Sequence, residues 1–419
     1  MTRGREVVVC GAGIVGLCCA WYLLERGHRV TILERGARDH DCCSLGNAGF
    51  ISPSHFVPLA APGIVKKALG WMGDPESPFY VRPRLDPEFI AWGLRFWRSA
   101  TKERVNRAAP LLRDLNLASR ALYQELAKRT DNAFGLQEQG LLMLVRTRHA
   151  LEEEGALAVR SRELGMPAEV LDAKQIQALE PGIAFDVLGA VRYPLDAHLI
   201  PNRLVEVMTK LVEERGAKIE WSTEVTGWRT DRSRVTAAIT PGGERGGDEF
   251  VLAAGSWTPL LGKELGVKLP MQPGKGYSLT LGSPRALPRH SMILQEARVA
   301  VTPMGSSLRV GGTMELAGYD LRIHAPRIRG LTRSLCRYLP TYRPEDFESI
   351  PPWCGLRPCT PDGLPYIGRT HRWPNLIVAS GHAMMGVSMG PVTGKLVSEI
   401  VSDQTPSVDL SGLSAERFA

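Results

Sequence analysis

The chain has 419 residues, 44% of them hydrophobic and 23% charged, which is enough for a large core shared by two lobes and excludes a disordered or low-complexity protein. Its net charge of +7 is scattered, with no Lys/Arg run of five, so nucleic acid is not an expected partner. There is no run of eighteen uncharged apolar residues and no signal-type apolar segment, and the eight cysteines lack CxxC spacing, which fits neither a zinc site nor a disulfide framework; a cytoplasmic protein is expected.

In chain order, "REVVVCGAG" reads as a buried strand entering a glycine turn. A helix from about Ile14 to Arg26 and a second strand, "HRVTILE", complete a βαβ unit. From Cys42 to Pro87 the sequence is rich in Pro, Gly and aromatic residues and reads as a long loop until Asp86. Helical periodicity then runs from about Glu88 to Lys128. Trp71, Trp92, Phe96 and Trp97 stand beside Lys and Arg in this region, as in segments that lie on a membrane surface, although buried helices of a second lobe explain them better.

"LGMPAEVLDAKQIQALEP" reads as a turn and a short helix closed before Pro181. "IPNRLVEVMTKLVEERGA" is a cleaner helix, with Leu204, Met208 and Leu211 on one stripe and Gly216 past its end. The strands "KIEWS", "VTAAIT" and "DEFVLAAG" return the chain to the first sheet. Alternating segments between about Lys263 and Ile350 predict a mostly antiparallel sheet, after which "PNLIVASG" gives a buried strand and "GPVTGKLVSEIVSD" a closing helix.

Gly11, Gly13 and Gly16 form G-x-G-x-x-G between strand and helix, so that backbone N–H groups from Gly13 through Ile14, Val15 and Gly16 can meet a pyrophosphate at the positive helix end. Glu34, at the end of the second strand, can accept from a ribose hydroxyl. NAD and FAD share this unit. FAD is favoured by "VLAAGSW", a return strand ending in small residues at Ala254 and Gly255 before Trp257, and by "CCSLGNAGFISPSHFVPLAAPG", whose backbone donors can line an isoalloxazine edge.

With "GNAGFISP", "GYSLTL" after "QPGK", "VGGTME", "GLRPCTPDGLPYIG" and "SGHAMMGVSMGP" added in that order, the whole chain resembles the D-amino-acid dehydrogenase branch of the FAD-dependent amine oxidoreductases, which includes glycine, sarcosine and D-amino-acid oxidases. The resemblance implies an α/β fold: a Rossmann-like FAD-binding domain of the glutathione-reductase type with an inserted α+β substrate domain on a mostly antiparallel sheet. Residues 1–60, 190–262 and 352–412 would form the first, 61–189 and 263–351 the second, and 413–419 a tail.

It also implies noncovalent FAD held by the glycine turn, by Glu34, Arg35 and Val225 near the adenosine, and by Ser44, Asn47, Ala48 and Gly49 along the flavin loop. Gly355, Gly381, His382, Met384, Met385 and Gly386 would complete the site, with backbone N–H groups rather than the imidazole facing the flavin. Met side chains there can equally belong to the core.

Arg357 of "GLRPCTPDGLPYIG" matches the family arginine that pairs with the substrate carboxylate, a task suited to a permanently charged bidentate fork. Tyr277 would hydrogen-bond that carboxylate or wall the pocket, or else be a core residue of a strand. His55 would contact substrate or flavin, or be a solvated loop histidine.

The implied reaction is oxidation of a neutral amine by hydride transfer from Cα to flavin N5, giving an imine. "SPSHFVPLAAPG" and "DPESPFYVRPRL" resemble sequences associated with cis-4-hydroxy-D-proline oxidation, so a cyclic D-amino acid is the expected substrate. A broad D-amino-acid dehydrogenase, a glycine- or sarcosine-oxidase relative, and a noncatalytic flavin-bearing subunit are the alternatives. The expected electron acceptor is a quinone, a redox partner or oxygen; peripheral contact with the inner membrane and homo-oligomer formation are compatible with the sequence.

Overall fold

The computed structural model describes residues 4–418. Its first sheet has the strand order Tyr366–Arg369, Leu376–Ser380, Glu249–Leu252, Glu6–Cys10, Arg29–Leu33, Lys218–Glu220. All neighbours are parallel except the first pair. Successive residues of Glu6–Cys10 feed two different cores: Val7 and Val9 pack under helices, whereas Val8 and Cys10 pack with Phe250, Leu252 and Leu376 on the other face. A strand buried on both faces explains why "VVVC" is continuously apolar.

On one face the helix Ile14–Glu25 crosses the closing helix Gly386–Val401 at close range. A methyl group on Gly394 would lie 2.3 Å from the Cys18 carbonyl oxygen, so Gly394 is required by the approach of two backbones. Cys18 and Cys19 are fully buried there and act as small apolar side chains.

The larger sheet runs Trp353–Cys359, Gln272–Leu281, Ser307–Leu316, Val299–Met304, Ser291–Leu294, Leu141–Val145, Gly189–Tyr193, Glu169–Asp172, with Phe79–Val81 joined to the end of Ser307–Leu316. Most pairings are antiparallel. Hydrogen bonding thus carries Gly189–Tyr193 and Trp353–Cys359 into this sheet, whereas the boundaries drawn from sequence put most of that chain with the cofactor lobe. Tyr123 and Leu126, drawn with the other lobe, pack into the core under the first sheet.

Three local expectations are corrected. The 42–87 stretch is not all loop, since it contains the strand Phe50–Ile51, the helix Ile64–Trp71 and the strand Phe79–Val81. The helical region from 88 to 128 is two helices, Pro87–Ser99 and Lys102–Arg129: Asp86 caps the first through the Glu88 and Phe89 amides, and Thr101 caps the second through the Arg104 amide. The short helix Ala173–Leu179 is preceded by a strand, Glu169–Asp172, whose last residue is also its N-cap.

The C-terminal tail is packed, not loose. Leu413 and Ala415 are fully buried, and Arg417 makes a bidentate ion pair with Asp362, at 2.8 Å to each carboxylate oxygen. Asp362 belongs to the Pro361–Leu364 turn, so the tail fixes the loop that follows Arg357.

Candidate active site

Gly11 adopts φ 108°, and a methyl group there would lie 2.7 Å from the Ala253 carbonyl oxygen; one on Gly16 would lie 1.9 Å from that of Gly11. These two glycines close the turn onto the return strand. Gly13 and Gly255 face space instead, with Ser44 Oγ 3.7 Å from a methyl on Gly13 and no atom within 4 Å of one on Gly255. Between them the N-terminus of Ile14–Glu25 opens on a groove where a phosphate can approach bare backbone.

Beside this groove Glu34 is buried and accepts from the Ala12 and Gly36 amides, each at 2.8 Å. Both oxygens keep a lone pair for a ribose hydroxyl. His40 Nε2 lies 3.9 Å from Glu34, buried and without a hydrogen-bond partner among the described residues. That orphan donor or acceptor is what a polar ligand at this position would satisfy. It was missed because a single loop histidine carries no periodic signal.

Val225 is held nearby, since the Thr223 amide donates to the Glu34 carbonyl at 2.7 Å. Arg35 stacks on Trp257 at 3.7 Å and Tyr319 packs against the same ring at 5.9 Å, forming the outer wall.

The expected flavin loop is stitched to its neighbours. Ser44 Oγ accepts from the Ile14 amide at 3.1 Å, Asn47 donates to the Met384 carbonyl at 3.2 Å, and the Ala48 carbonyl accepts from Thr302 at 2.8 Å. Gly49 has φ 74°, with Leu199 O 2.2 Å from where a methyl would stand. The sequence reading did not foresee Arg309: its guanidinium is buried and donates to the Leu45 and Asn47 carbonyls at 2.6 and 2.9 Å. Burial pulls it down to about 10.

Behind this loop, Gly381 (φ 83°) and Ala383 (φ 49°) turn the chain into Gly386–Val401, whose first turn lacks a side-chain cap. The His382 ring is buried and bonds Thr393 Oγ1 at 2.9 Å, and burial pushes it down to about 3. Its imidazole is therefore neutral and directed at the helix, which leaves the backbone of 382–386 for the groove. Met384 is partly exposed, while Met385 packs with Met389 and Leu396.

Arg357 projects from Trp353–Cys359 opposite Gly274. It donates to the Thr313 carbonyl and, at 3.4 Å, to that of Gly312, and no carboxylate pairs with it among the described residues. Burial lowers its pKa, and the thiols of Cys43 and Cys359 stand close enough to couple to its charge. Thr313 lies in a β-bulge with φ 63°, and its Oγ1 is buried without a partner. Above this corner Trp92 donates to the Cys359 carbonyl at 3.0 Å, and Phe89, Phe96, Met314 and Leu316 form an apolar wall. Gly355 and Gly46 give their space to the Trp353 ring, which locks the loop around Gly46 against this strand.

The other two candidates are not brought to Arg357 in the same way. Tyr277 is paired with Cys354, an odd number of residues from Arg357, so it faces the other side of the sheet. Its phenol donates to Glu315 Oε1 at 2.7 Å, and Glu315 also pairs with buried Lys275 at 3.2 Å. His55 lies beside Ser54 Oγ at 3.3 Å, and burial together with Arg298 pushes it down to about 4. Ser54 in turn donates to Asp196, which burial raises to about 7.

Comparison with known proteins agrees with this geometry. The family model described as "FAD dependent oxidoreductase" (DAO) matches residues 6–400. A D-amino acid dehydrogenase of Methylobacterium radiotolerans is 37% identical, over 99% of this chain and 100% of its own, and one of Granulibacter bethesdensis is 34% identical over the same shares. Among solved structures, glycine oxidase from Geobacillus kaustophilus superposes with a TM-score of 0.80 at 25% identity over the full length of both chains. L-Proline dehydrogenase from P. horikoshii shares the fold, with a TM-score of 0.76 at 18% identity over 100% of this chain and 98% of its own. With glycine turn, buried acid and open groove in place, the chain belongs to the DAO family of FAD-dependent oxidoreductases and is an FAD-dependent enzyme.

Proposed function

We propose that the enzyme is a dehydrogenase of D-amino acids and that Arg357 anchors the substrate carboxylate. One observation carries this reading: a half-buried guanidinium, answered by backbone carbonyls and by no acid among the described residues, next to an orphan hydroxyl on Thr313. Such a cation attracts an anionic group strongly because little water competes for it, and its planar fork fixes the orientation of a carboxylate. The names of the relatives supply the substrate class and its hand.

The residues of the chain divide the work. Arg357 binds and orients; Thr313 Oγ1 is placed to hydrogen-bond the same ligand; Trp92, Phe89 and Phe96 exclude water from its apolar part. Bound FAD supplies the two-electron oxidation. Glu34, the glycine turn and the 44–49 loop are the groups that would hold it.

The aromatic wall beside Arg357 suits a compact ring, and together with the resemblance of "SPSHFVPLAAPG" it supports a cyclic substrate such as cis-4-hydroxy-D-proline or D-proline. The similarity to a glycine oxidase favours a second reading, in which smaller amines are oxidised with oxygen as acceptor.

The test is anaerobic reduction of the yellow enzyme by a panel of D- and L-amino acids, with both hydroxyproline epimers, for the native protein and Arg357→Leu. Loss of the bidentate anchor should lower kcat/KM by at least about 10³-fold without displacing FAD. A variant that works as well as the native enzyme overturns the assignment. Peroxide yield against dye reduction separates the two acceptors.

A further inference from the structure

Asp196 is a carboxyl group shut away from solvent, and no cation pairs with it among the described residues. A buried charge without a partner is costly, so such a group is neutralised or used. It stands in a turn closed by its own amide donating to the Tyr193 carbonyl at 3.2 Å, and it meets a second turn, in which the His55 amide donates to the Ser52 carbonyl at 3.0 Å. Between the turns the Ser54 amide donates to Asp196 Oδ1 at 3.0 Å and the Ser54 hydroxyl to Oδ2 at 2.6 Å, and the same hydroxyl lies 3.3 Å from His55 Nδ1. Asp196, Ser54 and His55 thus form one hydrogen-bonded line from the interior to a half-buried imidazole.

The line fixes a tautomer. A hydroxyl has one proton, and Ser54 gives it to the carboxylate, so toward His55 it can only accept. Nδ1 therefore carries the ring hydrogen, and Nε2 keeps its lone pair with no hydrogen bond among the described residues. His55 lies on the segment that leads from the strand Phe50–Ile51 to Leu59, a member of the apolar wall around Trp92 and Cys359. The charge of Arg298 reaches its ring, and the Arg298 carbonyl stands 3.0 Å from a methyl placed on Gly312, the residue whose carbonyl accepts from Arg357. The imidazole borders the Arg357 corner from the side opposite the strand Trp353–Cys359.

We propose that Asp196, Ser54 and His55 are a proton relay that takes the ammonium proton of the substrate, with His55 as the base and with Ser54 and Asp196 as positioning residues that hold its tautomer and carry the proton away. The ammonium N–H bond breaks as Nε2–H forms, and the electron pair stays on the substrate nitrogen, where oxidation needs it. Nδ1 passes its hydrogen to Ser54 Oγ while Ser54 passes its own to Asp196 Oδ2. The ring ends neutral with its hydrogen on Nε2, the carboxylate ends as an acid, and no heavy atom moves. Burial, which raises Asp196 to about 7, sets the last acceptor near neutral pH. Arg120, Tyr193 and Ser52 are the other groups that face Asp196, and Arg298 faces His55. The inference rests on the reading of the enzyme as a D-amino-acid dehydrogenase anchored at Arg357.

The test is the rate of anaerobic flavin reduction in FAD-loaded protein by saturating D-alanine and by saturating D-proline, followed from about pH 6 to about pH 10. The native rate should level off above about pH 7. His55→Gln and Ser54→Ala should each be slower by about 100-fold at neutral pH and return to within about threefold of native at about pH 10, where the amine gives its proton to water unaided. Ser54→Thr keeps the hydroxyl and should retain at least about half of the native rate. Arg357→Leu should instead weaken substrate binding at every pH, with no alkaline recovery. Native rates and pH profiles in the relay variants, with Arg357→Leu impaired, overturn the relay and leave the anchor standing. Losses that alkaline pH does not relieve, at native FAD content, make the three residues structural and also overturn it. If neither D-amino acid reduces the native enzyme, or if Arg357→Leu behaves as native, the reading beneath the relay falls and the relay with it.

Discussion

Arg357 lies over Gly276: a methyl group on that glycine would stand 2.1 Å from Nη2 and 2.2 Å from Cζ of the guanidinium. Gly276 has an ordinary backbone conformation, and what it would strike is the far end of a flexible side chain. Gly276→Ala should therefore leave the fold within about 1 kcal/mol of native, because the guanidinium can swing aside. The proposed anchor, however, would no longer point where it does. A fall in kcat/KM of about 10²-fold, with FAD content and melting temperature near native, is expected from a displacement of this size. If thermal stability collapses instead, Gly276 is a packing residue and the guanidinium is not free to move.

Tyr277 and Arg357 separate in the same way. Because Tyr277 faces the back of the sheet, Tyr277→Phe should change kcat/KM by less than about fivefold and cost about 1 kcal/mol for the lost bond to Glu315. Lys275→Met is a harsher change: Glu315 would remain buried beside a phenol with its cation removed, a situation that costs about 3–5 kcal/mol. Urea unfolding and steady-state kinetics on the two variants decide the matter. A large kinetic loss in Tyr277→Phe with unchanged stability would return the phenol to the active site.

What the sequence could and could not reveal follows from the range of the interactions. The glycine turn, the buried strands and Glu34 are legible because each is set by backbone geometry or by a period within a few residues. Arg357 is singled out by its loop of Gly and Pro and by the family pattern, and its role is the one proposed above. The face on which Tyr277 sits depends on its register with Cys354, seventy-seven residues away, which no local pattern encodes. His40 and Arg309 were invisible for a related reason: their roles arise only when distant loops meet. The break at Thr101 was a cap residue inside a longer periodic run, and periodicity alone passed over it.

Buried titrating groups in this protein shift its stability with pH in opposite directions. His382 has its pKa lowered from 6.5 to about 3, so the unfolded chain binds the extra proton and stability is lost as pH falls from 6.5. His55 and His198, each lowered to about 4, act in the same direction. Asp196 is raised from 3.8 to about 7, so the folded chain binds the extra proton and stability is gained as pH falls from 7. Between pH 7 and pH 5, His382 and Asp196 contribute about 2 kcal/mol each, with opposite signs. His382→Asn should make the acid loss shallower by that amount, and Asp196→Asn should make it steeper. Unfolding free energies at the two pH values test both signs; parallel profiles for the two variants would contradict the assignment.

Arg309 is a buried cation that no acid pairs with among the described residues, and its four hydrogen bonds explain why it is retained. Nη1 takes the carbonyls of Leu45 and Asn47, Nε donates to Thr280 Oγ1 at 3.0 Å, and Nη2 donates to Asn202 at 3.2 Å. Two of these acceptors belong to the loop whose Ser44 meets the Ile14 amide and whose Asn47 meets Met384, so one guanidinium ties the proposed flavin loop to the large sheet. Methionine in its place fills the volume and ends the desolvation cost of the charge, but it leaves two carbonyls without donors. The two effects partly offset, and Arg309→Met should lose only about 2 kcal/mol of stability. FAD should suffer more, because the loop must be ordered at the moment of binding: a dissociation constant raised by about 10- to 100-fold is expected. Lysine restores the charge without the fork, so Arg309→Lys should recover less than half of the lost affinity. Titration of apoprotein with FAD, set beside thermal unfolding of the same samples, distinguishes the two consequences; if stability falls while FAD affinity stays native, the loop is not what holds the flavin.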